Sequence, residues 1–325
     1  MAIETLGGGQ PSQIEPPYGD IVLGLKEGRV IPFLGAGASL TPRSEAAEPW
    51  TPKSEELPSA RDLARYLATM SNFPGTGAQE WEDLARVASY SADISGRQQL
   101  RRHLRRALNH SFQYRRLHQF FAEIPAHLLC IVTNYDTLLE QAFRAAHKPF
   151  DLVIYPADKR DTLNSLLYVR NGSETPQYVE ANSLDLDLDE RSVIYKMHGT
   201  VWPQDEALDN YVITEEDYIE FLSRMTSNAS SAVPAEFYRY SRSRSFLFLG
   251  YSPRDWNLRV ILKNLRRQLT SSSGALLDDD VIPSWAIQRQ PTRLEQRLWG
   301  RRRVEIFDMD LDGFIERLVE WSTRV

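Results

Sequence analysis

The chain has 325 residues, 42% of them hydrophobic and 25% charged, a size that suits one large α/β domain or one domain with a sizeable insertion and needs no disulfide or metal staple. Its net charge of −6 argues against broad nucleic-acid binding by the whole surface, so direct nucleic-acid binding is not expected, although a local basic face is compatible with it. The single cysteine, Cys130, excludes an internal disulfide and lies in an apolar run, where it reads as a core residue in a reduced compartment.

Residues 1–17 are rich in Gly, Pro and polar side chains, show no cationic-then-apolar signal pattern, and are expected to form a flexible leader to a domain spanning 18–325. No apolar run approaches the roughly 20 residues a bilayer span requires, so no membrane association and a cytoplasmic location are expected. The pattern predicts a helix over 18–26, with Ile21, Val22 and Leu25 as its apolar positions. A short run rich in β-formers, 29–34, then reads as a strand buried on both faces. Residues 41–127 are expected to be mainly a helical insertion. Leu63, Tyr66, Leu67 and Met70 recur at helical spacing, as do Leu84, Val87 and Tyr90, and Leu100, Leu104 and Leu108. Arg97, Arg101, Arg102, Arg105 and Arg106 surround that last stripe and read as a solvated face or a docking surface.

A helix over 114–124 leads to a second strand at 128–133, and a third strand covers 152–155. Residues 164–190 are polar. Within them Asp185, Asp187 and Asp189 invite a calcium reading, but an EF-hand loop from Asp185 would need Gly at its sixth place and an acid at its twelfth, where Glu190 and Lys196 stand. A solvated loop or edge strand is the better reading. A fourth strand, 192–197, precedes helices at 215–225 and 235–241, and a fifth strand covers 245–249. A helix from about Trp256, a linker over 271–280, strands at 285–287 and 304–307 and a helix over 311–321 close the chain. Strands alternating with helices imply a Rossmann-like, doubly wound, mostly parallel sheet with the helical insertion between its first and second strands.

Three strings close apolar runs. In the first, Gly35-Ala36-Gly37-Ala38-Ser39, the glycines allow a sharp turn that could set backbone N–H groups against a pyrophosphate, with Ser39 capping a following helix or bonding to phosphate. The same string also reads as a mere tight strand–helix turn. A dehydrogenase fingerprint would need Gly where Leu40 stands, and no Gly-Lys-Ser/Thr follows for a P-loop. In the second, Thr133-Asn134-Tyr135-Asp136, Asn134 can fix a water or a ribose hydroxyl, and Asp136 can accept from a ribose hydroxyl or orient the Asn. Alternatively, Asn134 caps a helix over 137–143. In the third, His198 follows a strand and precedes Gly199, a setting for a general base near neutral pH or for a structural histidine. The other five histidines lack such a setting.

These strings, together with Gly250-Tyr251-Ser252 and the nearby Asp255, resemble in order the signature segments of sirtuins, and more closely the sirtuin-like domains of bacterial antiphage defence systems. The resemblance covers about residues 28–310. It implies NAD as the substrate, with Gly35, Ala36, Gly37, Ser39, Thr133, Gly250, Tyr251 and Ser252 as its binding residues. It further implies Asn134 placing the attacking water, Asp136 supporting the ribose or nicotinamide end, and His198 as general base. Sirtuin deacylases have Gln where Thr133 stands and Thr where Tyr251 stands, and they carry a four-cysteine zinc module that one cysteine cannot supply. No metal site and no zinc are therefore expected.

The expected activity is NAD hydrolysis to ADP-ribose and nicotinamide by a toxic effector that depletes NAD in antiphage abortive infection. Alternatives are another NAD-consuming enzyme (deacylase, ADP-ribosyltransferase or cyclase) and a non-catalytic module sensing NAD or ADP-ribose. The resemblance also implies a homo-oligomer or a sensor partner: an Argonaute-type protein, a translocase ATPase or a STAND-type sensor.

Overall fold

The computed structural model describes residues 15–43, 48–157, 165–171, 173, 175–226, 232–251 and 282–324. The chain enters through α1 (Tyr18–Lys26) and β1 (Val30–Leu34). Five α-helices among the described residues then separate β1 from β2 (Leu129–Val132): α2 (Ala60–Met70), α3 (Ala78–Trp81), α4 (Leu84–Ser95), α5 (Arg97–Leu108) and α6 (Arg116–Glu123). Next come α7 (Leu138–Ala145), β3 (Phe150–Ile154), β4 (Ser165–Val169), β5 (Gln177–Glu180), β6 (Ser192–Lys196), and the short pair β7 (Gly199–Thr200) and β8 (Asn210–Tyr211). The last elements are α8 (Glu215–Thr226), α9 (Ala235–Ser241), β9 (Ser245–Leu249), β10 (Ser284–Gln288), α10 (Arg293–Gly300), β11 (Val304–Asp308) and α11 (Leu311–Ser322). The helix expected from Trp256, the linker over 271–280, Ser252, Asp255 and the chain before residue 15 lie outside the described residues.

Nine strands form one sheet in the order β11-β10-β9-β1-β2-β6-β3-β4-β5, parallel from β11 through β3 and antiparallel at β4 and β5. The α/β class and the mostly parallel sheet are as the sequence implied. Burial explains why. Every residue of β1, β2, β3, β6 and β9 is buried, the signature of strands covered on both faces. Alternate residues split between two cores. Val30, Leu34, Cys130 and Val132 face α1, α6, α7 and α11, while Ile31, Phe33, Leu129 and Ile131 face α8, α9 and α10. A third core fills the helical segment, where Leu63, Leu67, Val87, Leu100 and Leu104 meet Val201, Tyr211 and Ile213. Each such aliphatic side chain contributes about 1.5–3 kcal/mol on burial.

Three differences from the sequence reading have physical causes. The polar stretch after β3 contains β4, with Leu166, Leu167 and Val169 buried, and the mostly exposed β5, two short strands set between polar segments. Met70 ends α2 on its exposed side despite its helical spacing. Three arginines of α5 are bound internally: spaced four apart, Arg97, Arg101 and Arg105 share one helix face. Arg97 binds Asp217 at 2.8 Å and the Tyr211 carbonyl. Arg101 donates to the Glu206 and Asp209 carbonyls, and Arg105 to Asp209 at 3.0 Å and to the carbonyls of Trp202 and Pro203. Arg102 and Arg106 alone of the five are exposed. This face clamps the segment over 202–217, and the sequence could not locate the carbonyls that receive it.

Candidate active site

β1 has β9 on one side and β2 on the other, so the chain's direction of travel across the sheet reverses there, the kind of point at which α/β sheets bind ligands. Beyond the carboxyl ends of β1, β2, β6 and β9 lies a cavity of about 420 Å³, within the usual range for small-molecule sites. Ala36, Ser39, Thr133, Asn134, Tyr135, Asp136, His198, Gly250 and Tyr251 line it. The helical segment roofs it with Leu57, Leu63, Leu84 and Leu108, and Arg61 adds a cation. Residues from each of the four strings thus line one cavity.

The glycines of the first string serve packing. The amides of Gly35 and Gly37 donate to the Leu249 and Gly250 carbonyls, both at 2.9 Å, and those of Ala38 and Ser39 donate back to Gly35 and Ala36. These four N–H groups are paired with backbone carbonyls of the protein. Gly250 has φ +75°, and a Cβ there would lie 2.1 Å from the Ala38 nitrogen, so the two turns meet backbone to backbone. The Tyr251 ring covers Gly35, and its hydroxyl bonds the Leu34 carbonyl at 2.9 Å and the Thr133 hydroxyl at 2.8 Å. A single 3-10 turn (Ala36–Ala38) follows β1, so no helix dipole points from this string into the cavity. Of the string, Ala36 and Ser39 reach the cavity wall.

Asn134 is not the helix cap. Thr137 holds that position without a side-chain cap bond, and Asp136, one residue before it, accepts from the Leu138 amide through Oδ1 at 3.0 Å. The Asn134 Nδ2 instead donates to Ser39 Oγ at 2.9 Å, which leaves Asn134 Oδ1 buried with no hydrogen-bond partner. Beneath the turn, the buried Lys196 ammonium donates to the Asp136 carbonyl and stands 3.4 Å from the Glu140 carboxylate on α7. A lysine inside an apolar strand and a glutamate on the buried face of a helix are each unusual, and that oddity was the sequence's signal for this pair.

His198 is held differently. Its ring lies edge-on to Tyr218 and Phe221, each with centroids 5.4 Å away, and Nε2 is buried with no hydrogen-bond partner. Burial pushes its pKa down to about 3, so the imidazole is neutral at physiological pH. The following turn is fixed by Gly199 at φ +84°, where a Cβ would lie 2.1 Å from the Asn210 carbonyl oxygen. The Val212 amide then donates to the His198 carbonyl at 2.9 Å.

A second histidine, His118 on α6, joins the site from behind Ser39. Its Nδ1 accepts from the Arg115 amide at 3.0 Å, and its Nε2 lies 3.5 Å from Ser39 Oγ. Desolvation lowers its pKa to about 4, against the opposing pull of Asp136. A helical position gave no sign of this role in the sequence. Cys130 lies fully buried in β2, its thiol pushed up to about 12 by burial, in keeping with a core residue. Among the described residues, no three His, Cys, Asp or Glu side chains gather as a metal site.

The SIR2-like domain profile matches residues 129–307, more than half of the chain. Three relatives carry the name NAD(+) hydrolase ThsA. The protein from Acinetobacter baumannii is 29% identical over 153 residues, covering 46% of this chain and 24% of that protein. The one from Bacillus cereus is 27% identical over 201 residues, covering 61% and 34%. The one from Enterococcus faecium is 24% identical over 194 residues, covering 59% and 34%. The matched region spans about a quarter to a third of these relatives' own length. With the profile match and the converged site together, the chain belongs to the SIR2-like domain family.

Proposed function

We propose that this cavity hydrolyses NAD to ADP-ribose and nicotinamide. The observation that carries the reading is a pair of unpartnered buried polar atoms, Asn134 Oδ1 and His198 Nε2, belonging to two residues that line one cavity. A buried polar atom without a partner costs about 1–3 kcal/mol, so a ligand that supplies both hydrogen bonds recovers that cost on binding. The relatives' shared name, NAD(+) hydrolase, supports the same reading.

In this proposal the C1′–N bond to nicotinamide breaks with its electron pair leaving on the pyridine nitrogen, which neutralises the ring's positive charge. The ribose is left oxocarbenium-like, as at other glycosidic bonds. Asn134 Oδ1 accepts from a water and aims its oxygen at C1′. As the new C–O bond forms, the water becomes strongly acidic and its proton passes to His198 Nε2. A neutral imidazole of low basicity suffices for so acidic a donor. Asp136 borders the ribose end, while the Ser39 hydroxyl and Arg61 are the donors for the phosphate or ribose oxygens. The roof of Leu57, Leu63, Leu84 and Leu108 limits bulk water.

The reading extends to the setting that the sequence resemblance implies, depletion of NAD during antiphage defence. Unregulated turnover would be toxic, so control by a homo-oligomer or a sensor partner belongs to the same proposal. Incubating the purified protein with NAD and no acceptor should give nicotinamide and ADP-ribose in equal amounts. A cyclic product, or nicotinamide release only with an acylated peptide or a protein acceptor, would replace the hydrolase with a cyclase, deacylase or transferase.

A further inference from the structure

His118 meets the cavity through Ser39, where it completes a chain of hydrogen bonds whose directions can be assigned. A backbone N–H can only donate, so the 3.0 Å bond from the Arg115 amide makes His118 Nδ1 an acceptor. The neutral ring then carries its proton on Nε2, which faces Ser39 Oγ. Ser39 Oγ therefore accepts from the ring and, at 2.9 Å, from Asn134 Nδ2. Its own hydrogen is left to donate into the cavity that Ser39 lines. With Asn134 in the reverse orientation, the only Ser39 proton would be spent on the amide oxygen. Amide donors would then face the cavity where an attacking water needs an acceptor.

We infer that His118 is a positioning residue: through Ser39 it holds Asn134 with Oδ1 towards the reacting water and frees the Ser39 hydroxyl for the ligand. The kinetic consequence rests on the hydrolase reading; the ring tautomer does not. The rest of the frame is consistent with this role. The Arg115 guanidinium bonds the Leu40 carbonyl, next to Ser39, and Asp312 on α11, so the donor amide and the segment it serves are anchored by one residue. Burial keeps the ring neutral at physiological pH, as the assigned tautomer requires.

Two substitutions separate this role from mere packing, because Asn places a polar atom near Nδ1 of the histidine it replaces and Gln places one near Nε2. His118→Asn keeps the acceptor for the Arg115 amide and loses the Ser39 donor, whereas His118→Gln keeps the Ser39 donor. His118→Asn should lower kcat for nicotinamide release by about tenfold or more with KM little changed, as expected when a reacting group is misplaced while substrate binding is kept. His118→Gln should recover most of that loss. With an active wild type, equal activities in the two folded variants, whether high or low, would overturn the inference. Nitrogen-15 NMR of the wild-type imidazole is the second readout and should show a bare Nδ1 and a protonated Nε2. The opposite tautomer would overturn the inference even if both variants failed to fold. If the wild type released no nicotinamide while the tautomer was as stated, the hydrolase reading would fail and the hydrogen-bond assignment would stand.

Discussion

On the β2 side of the cavity, Asn134 is tied to Ser39, Ser39 meets His118, and the turn beneath is held by the Asp136 carboxylate on the Leu138 amide and by the buried Lys196. On the β6 side, His198 is held by the edges of two aromatic rings and the backbone of the Gly199 turn. The first wall restrains Asn134 through directional hydrogen bonds. The second fixes a ring plane and strips water from it, leaving a neutral nitrogen with nothing to bond. Placing a water asks for directional restraint, while taking its proton late asks for a neutral base, and the two walls are suited to those separate tasks.

The largest expected effect breaks the polar wall. Lys196→Met leaves the Glu140 carboxylate buried without its counter-charge, and about 3–5 kcal/mol of stability should be lost in urea unfolding. Adding Glu140→Leu to that variant should recover most of the loss, since the charge needing a partner is then gone. A loss below about 1 kcal/mol in the single variant would mean that this pair does not hold the turn.

A smaller effect compares the walls through their histidines. Both pKa values lie below the ordinary 6.5, at about 4 for His118 and about 3 for His198. As pH falls below 6.5 the unfolded chain binds protons that the folded protein refuses, so stability present above that pH is progressively lost. Each histidine contributes a slope of about 1.4 kcal/mol per pH unit down to about pH 4, and His198 continues alone below it. His118→Asn and His198→Asn should each remove one such share from the slope between pH 6.5 and 4.5. Slopes unchanged from the wild type would show that the rings are not held neutral.

Much of this architecture is legible in the residues. The bounds of α1, α9 and β9 coincide with the sequence reading, because continuous apolar runs and helical stripes report burial directly. The four strings fall at the ends of β1, β2, β6 and β9, since chemistry-bearing residues directly after fully buried strands have one place to go. What escaped depends on partners distant in sequence. The amides of Gly35 and Gly37 are occupied by carbonyls more than 200 residues away, so the motif's position was readable and its hydrogen bonding was not. His118 lies on an ordinary-looking helix and matters only because Ser39 folds against it. The arginines of α5 read as surface charge until the segment over 202–217 is laid across them.

The central claim is that Asn134 and His198 together turn NAD into nicotinamide and ADP-ribose, and single-turnover nicotinamide release in the wild type, Asn134→Ala and His198→Ala tests it most directly. With circular dichroism confirming that both variants fold, the wild type should release nicotinamide and each variant should lose about a hundredfold or more of that rate. Undiminished release in both folded variants would contradict it.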